Sequence, residues 1–209
     1  MIIIDPVVET YSVSDFTAWP IGELPAGNLL RVSGGLTSAG VGTVMAVIAT
    51  GVDGVTDPDA MTSPLLQRMI ETDCLIAPGG LRVHDSATGV TMNPGCCSGL
   101  ETWHAWRDVI DGHVPWLGHS PSPWIEHLDQ SIRIWPSGGE QATPPEGASP
   151  IEITTTELPD LINTAHLQLL EFLDLVEPWA FALGEPRAHE LASAIDRHFH
   201  ITEAPIREE

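Results

Sequence analysis

Apolar and polar positions change rhythm along the chain. Through residues 1–57, Val, Ile and Thr come in short runs divided by glycines, which predicts strands at 2–4, 7–13, 29–33 and 44–50 with turns or bulges between them. Leu65, Leu66, Met69 and Ile70 then recur at helical spacing behind Ser63-Pro64, so a helix over 63–72 is expected, with Ser63 as its cap. Residues 74–77 read as a buried strand stopped by Pro78-Gly79-Gly80. Residues 81–84 and 90–92 flank the turn 85–89 as a hairpin.

Ser98-Gly99-Leu100-Glu101 has the form of a capping box. It predicts a helix over 98–111 whose stripe is Leu100, Trp103, Trp106 and Ile110, ended by Gly112. A proline-broken loop, 114–123, leads to a second hairpin with strands 124–127 and 131–135. Residues 136–150 carry prolines and glycines but no large apolar side chain, and form a long loop or linker. After it come a strand at 151–155 and an amphipathic helix from Leu158 to about Val176, with Thr156 as cap. Pro178 is expected to interrupt that helix. A short turn at 179–183, a last helix over 186–200 and a frayed stretch of nine C-terminal residues complete the pattern.

Strands ahead of residue 136 and helices after 157 argue an α+β fold rather than alternating βαβ units. The expectation is one domain over 1–209. A mostly antiparallel sheet from 1–135 would carry helices at 63–72 and 98–111, and two C-terminal helices would pack on it.

Charge sharpens the picture. Against 29 acidic residues stand 8 basic ones, all arginine, for a net of −21. Acid content is ordinary; it is cations that are scarce, and the helical end has about twice the net negative charge per residue of the rest. Without an arginine cluster to neutralise phosphates, nucleic acid is an improbable partner, and an anionic membrane surface is disfavoured for the same reason. A basic protein partner is compatible with the field, which raises its encounter rate, and the same net charge by itself keeps a protein in solution. Three cysteines make no disulfide framework, and the N-terminus lacks a basic leader region, so a soluble, reducing, cytoplasmic setting is expected.

Gly95-Cys96-Cys97-Ser98-Gly99 fits Gly-x-Cys-x-Gly, and resembles the nucleophile elbow of the α/β-hydrolases. The resemblance implies Cys97 as nucleophile on a strand-to-helix turn, with its pKa lowered by the helix N-terminus. His104 stands about 10 Å along the helix from Cys97, too far to act as its base or to share a metal with it. His84 or His119 would have to serve instead. Cys96 and Cys97 could also close a vicinal disulfide. Nine histidines raise a metal reading, with His104/Asp108 and His198/His200 as spaced pairs. No His-Glu-x-x-His or Cys-x-x-Cys set exists, so no metal ligand and no cofactor is assigned.

The most distinctive segment is 103–135, which concentrates tryptophan and histidine. Trp103 and Trp106 belong to the core stripe. Trp116 and Trp124 bracket a loop stiffened by proline, where they either plug the core edge or present large, low-entropy contact area. The leading functional expectation is therefore a non-catalytic protein-binding module that docks on a more basic protein. In general character it is similar to the immunity proteins that neutralise toxins. Trp116, His119 and Trp124 would supply contacts, with Glu126 and Asp129 steering. A cysteine hydrolase built on Cys97 and a structural or oligomer-forming protein are the alternatives.

Overall fold

A computed structural model describes residues 1–52, 62–139 and 143–203. Its elements, in chain order, are β1 (Ile2–Glu9), a 3-10 turn (Tyr11–Val13), β2 (Leu29–Arg31), α1 (Ser38–Thr50), α2 (Thr62–Glu71), β3 (Gly79–Asp85), β4 (Thr91–Met92), a 3-10 helix (Leu100–Asp111), β5 (Trp124–His127), β6 (Ser131–Trp135), β7 (Ile151–Thr154), α3 (Leu158–Ala182) and α4 (Ala188–Phe199). The strands form two antiparallel sheets, ordered β2-β1-β3-β4 and β5-β6-β7. The fold is α+β, with α3 packed against β1 and both C-terminal helices against the 3-10 helix. No helix among the described residues is long and apolar enough to cross a membrane.

β1 is the spine. It absorbs both strands predicted at its start, running through Asp5-Pro6 without a break, while the predicted strand end at 11–13 is a 3-10 turn. Asp5 sits opposite Arg82 in the register, and Arg31 reaches the same carboxylate from β2. The N–O distances are 2.9 Å from Arg31 and 3.1 Å from Arg82, so the buried Asp5 is held between two cations. In the small sheet the alternation is clean. Ile125, Ile132, Ile134, Ile151 and Ile153 face the core, and Trp124, Glu126, Arg133, Trp135 and Glu152 face outward.

The predicted strand at 44–50 is instead the end of α1. Gly40 to Ala49 are all buried, so this helix has no polar face and shows no 3.6-residue rhythm; its β-branched composition imitates a strand. Thr37 caps it, accepting from the Gly40 amide at 3.2 Å. The Trp19-Pro20 segment crosses it so closely that a Cβ on Gly42 would lie 2.3 Å from the Pro20 carbonyl oxygen. Trp19 Nε1 donates to the Gly42 carbonyl at 2.8 Å from the same crossing.

Other boundaries move for identifiable reasons. Ser63 lies inside α2 and donates to Glu185 instead of capping, while residues 53–61 fall outside the described chain. Residues 74–77 form no strand, and Pro78-Gly79-Gly80 leads into β3 rather than ending an element. The capping box at Ser98 does not form: Gly99 is the N-cap, and Glu101 accepts from the Ala77 amide at 3.0 Å. The helix it opens is 3-10, and three residues per turn brings Leu100, Trp103, Trp106 and Val109 to one buried stripe. That period exposes Ile110, which an α-helical count places inside. Gly112 ends the helix in the left-handed conformation, as expected.

α3 runs through Pro178, because Val176, Trp179 and Ala180 on either side are locked in the core, and Trp179 meets Trp19 edge-on at 5.4 Å. Its N-cap is Glu157, not Thr156, and makes no side-chain cap bond. The start of the expected C-terminal fray is ordered: Ile201 is buried, and Thr202 is bonded to Asp196 by its amide at 2.7 Å. Residues 204–209 lie outside the described chain.

Two stability predictions follow from these contacts. Gly→Ala inside a helix ordinarily stabilises by about 1 kcal/mol, but Gly42→Ala must push Pro20 off α1 and is expected to cost about 1–3 kcal/mol. Gly27→Ala, with open space around the new methyl, should stay near neutral in the same thermal-unfolding series. Burial, then the neighbouring His200, holds the His104 imidazole below the ordinary histidine range. The unfolded chain therefore takes up this proton first, and the fold loses stability as pH drops below about 6.5. Unfolding midpoints measured from pH 7.5 to 5 should show that loss, flattened in part by His104→Gln; His198, lowered by burial and by Arg197, supplies another share.

Candidate functional site: the Cys96–Cys97–His119 surface

After β4 the chain passes through Asn93-Pro94 into Gly95-Cys96-Cys97, where it meets the loop that follows the 3-10 helix. The two backbones pair like a fragment of sheet. Gly95 N donates to Leu117 O at 2.7 Å, Cys96 N to His119 O at 2.7 Å, and His119 N to Cys96 O at 3.0 Å. Their separation permits no Cβ at two facing positions. A Cβ on Gly95 would stand 2.8 Å from the Gly118 carbonyl carbon, and one on Gly118 only 2.4 Å from Gly95 O. Gly118 also has φ +81°, a region favouring glycine.

This junction brings distant side chains together. The sulfurs of Cys96 and Cys97 and a ring nitrogen of His119 all lie within 4.8 Å of one another, and the two sulfurs are 3.5 Å apart. Cys97 is left-handed at φ +65°, unusual for a residue with a Cβ. Trp116 leans over the turn: its Nε1 donates to Cys97 O at 3.2 Å, and its ring meets His119 edge-on at 5.8 Å. Both cysteines and His119 are exposed, and Trp116 is 61% exposed.

The remaining residues singled out from sequence sit on the outer face of the small sheet. Trp124 is half-buried and stacks on Trp135 with ring centroids 5.9 Å apart. Glu126 accepts from Trp135 Nε1 at 3.3 Å and lies 3.9 Å from Arg133, so its charge is partly engaged within the sheet. Asp129 is exposed in the β5–β6 turn. Of the 114–123 loop, it is Leu117 that plugs the core, while Trp116 stays outside.

Electrostatics at Cys96 run opposite to an activated nucleophile. The hydrogen bond and charge of Cys97 push the Cys96 thiol up, with burial and Glu9 adding to the effect. Cys97 precedes the 3-10 helix rather than capping it, β4 is a two-residue edge strand, and all strand pairings among the described residues are antiparallel. The parallel sheet on which the α/β-hydrolase elbow rests has no counterpart among the described residues. The cysteine pair and imidazole can bind a soft cation, be alkylated, or close a vicinal disulfide.

From sequence, His119 is one of two histidines offered as a base for Cys97, with no means of choosing between them and no metal ligand assigned; the structure places His119 beside the cysteines. The pairing signal was present as Gly95 and Gly118, each one residue before a member of the cluster, but nothing in a single sequence says that two glycines face each other. His104, the histidine nearest Cys97 in sequence, turns instead toward His200, ring centroids 5.0 Å apart. No family model matches the chain, and no curated protein or solved structure resembles it at a significant level.

Because Cys97 is the largest cause of the raised Cys96 pKa, Cys97→Ser should bring Cys96 back toward an ordinary thiol. Cys96 should then alkylate with iodoacetamide faster at pH 8 than in the parent protein, as read by peptide mass spectrometry. An unchanged rate would assign the raised pKa to another cause.

Proposed function

We propose that this is a binding protein without catalysis, which docks on a more basic protein through the surface around Trp116. The carrying observation is a tryptophan left 61% exposed while its single hydrogen-bond donor is already used on Cys97 O. A fixed ring of this kind offers apolar contact area at little further entropy cost. Ile110 and Val114, close by in sequence, are exposed as well, with the exposed carboxylates of Asp108 and Asp111 among them.

Charge supports the choice of partner. The net is −21, and five of the described arginines are engaged within the molecule. Arg31 and Arg82 are spent on Asp5, Arg133 on Glu152, and Arg187 on Glu71 and Glu190, while Arg107 lies over the Trp103 ring at 4.6 Å. An electronegative exterior steers a positive surface inward and raises its association rate. Asp129 contributes to that field, His119 borders the anchor, and Trp124 with Trp135 forms an aromatic shoulder on the small sheet.

A hydrolase built on Cys97 gains His119 as a neighbour, but its thiol pair is exposed and Cys96 is raised rather than lowered. A competing docking surface is the groove between α3 and α4, where Phe181 is 76% exposed beside Asp174 and Glu177. The test is calorimetric titration against purified basic products of neighbouring genes. Trp116→Ala should weaken a bound partner by about 2 kcal/mol, roughly thirty-fold, and the association rate should fall steeply with salt. A partner indifferent to Trp116→Ala but lost with Phe181→Ala would overturn the assigned surface, and salt-independent association would overturn the charge argument.

A further inference from the structure

We propose that Cys96, Cys97 and His119 bind one thiophilic divalent cation of the zinc class, a role that does not depend on docking by Trp116. The donor chemistry selects the ion: two thiolates and an imidazole suit zinc, whereas magnesium and calcium require oxygen. The spacing fits as well. Two sulfurs bound to a tetrahedral zinc at about 2.3 Å would stand roughly 3.7 Å apart; here they are 3.5 Å apart before any ion arrives. All three donors lie within 4.8 Å of one another, a span that one ion at bonding distance can bridge.

The backbone holds the donors in this arrangement. Adjacent residues in an extended chain point their side chains to opposite sides, so neighbouring cysteines ordinarily do not share a ligand. The left-handed Cys97 brings the two sulfurs to one side. Strained non-glycine backbone of this sort persists where the surroundings over-determine it, and it clusters at functional positions. Here the surroundings are the paired amides of Cys96 and His119 and the Trp116 bond to Cys97 O. Cys74, the remaining cysteine, takes no part in the cluster.

Binding is a ligand exchange without oxidation. Each thiol gives its proton to solvent as its sulfur displaces a water from the hydrated cation, and an unprotonated ring nitrogen of His119 displaces another. Three protein donors leave a fourth position open on the solvent side, since all three residues are exposed.

The test uses the full chain, reduced and freed of metal. In competition with a chromophoric chelator it should take up one zinc ion, and one cobalt(II) ion should produce sulfur-to-cobalt charge-transfer absorption. Zinc-edge X-ray absorption should show two sulfurs at about 2.3 Å and a nitrogen at about 2.0 Å. Cys96→Ser, Cys97→Ser and His119→Ala should each weaken zinc by at least about tenfold, the lower end of what even an outer-shell change costs, while Cys74→Ser leaves it unchanged. No uptake by the reduced parent protein, uptake without the charge-transfer band, or unchanged affinity in His119→Ala would each overturn the site. These readouts need no protein partner, so their failure leaves the docking reading standing, and the reverse holds.

Discussion

The contact between Gly95 and Gly118 is the constraint on which the candidate site rests. It is a fragment of antiparallel pairing made by two loops, and it closes only because neither residue carries a Cβ. One turn of this clasp belongs to the chain leaving β4 and the other to the loop between the 3-10 helix and β5. Ordering such a loop costs backbone entropy at every residue. The return comes from the inter-loop hydrogen bonds and from Leu117, which enters the core beside them. With the clasp closed, the neighbours of the two glycines have nowhere else to go: His119 stands beside Cys96, and Trp116 rests on Cys97.

Scarce cations shape the molecule in a second way. Arginines that might have balanced the surface are engaged by partners within the molecule. Asp5, buried on the spine strand, needs both Arg31 and Arg82, since a lone carboxylate there would be left with its desolvation cost unmet. Arg107 covers the Trp103 ring and also contacts His166 at 3.2 Å. Arg187 ties α2 to the start of α4 through Glu71 and Glu190. The surplus carboxylates therefore face solvent, where self-repulsion is screened by salt and the field reaches outward.

How much of this was legible depended on whether one side of an element met water. β5, β6 and β7 alternate cleanly, and α3 carries a clear stripe, so the sequence pattern located them well. α1 is buried on every side and has no such pattern to read. The 3-10 helix kept its buried tryptophans under either count, yet the change of period moved the inward position from Ile110 to Val109. Pro178 is a breaker by local rules, and only the tertiary embedding of Val176, Trp179 and Ala180 carries α3 past it. Ser98 and Glu101 match a capping box residue for residue, but groups the box needs are taken elsewhere: the Glu101 carboxylate accepts from Ala77 N, and Ser98 N donates to Gly95 O. Local motifs state what a segment can do in isolation, and long-range partners decide which option is used. The cluster at Cys96 was illegible for the same reason, because its third member arrives from a loop more than twenty residues away.

The hydrogen bond at Trp116 ties the two proposals to one geometry without merging them. An indole has one donor and no acceptor. Once Nε1 is given to Cys97 O, what remains of the side chain is apolar face and edge. A partner meeting it gains hydrophobic area with no polar group left to satisfy, so specificity must come from shape and from the surrounding carboxylates rather than from hydrogen bonding to the ring. The same bond uses the Cys97 carbonyl and leaves its sulfur facing Cys96 and His119. Anchor and thiol thus share one backbone turn but use different atoms of it, which is why a surface ring and a cluster of exposed donors can coexist within so few residues.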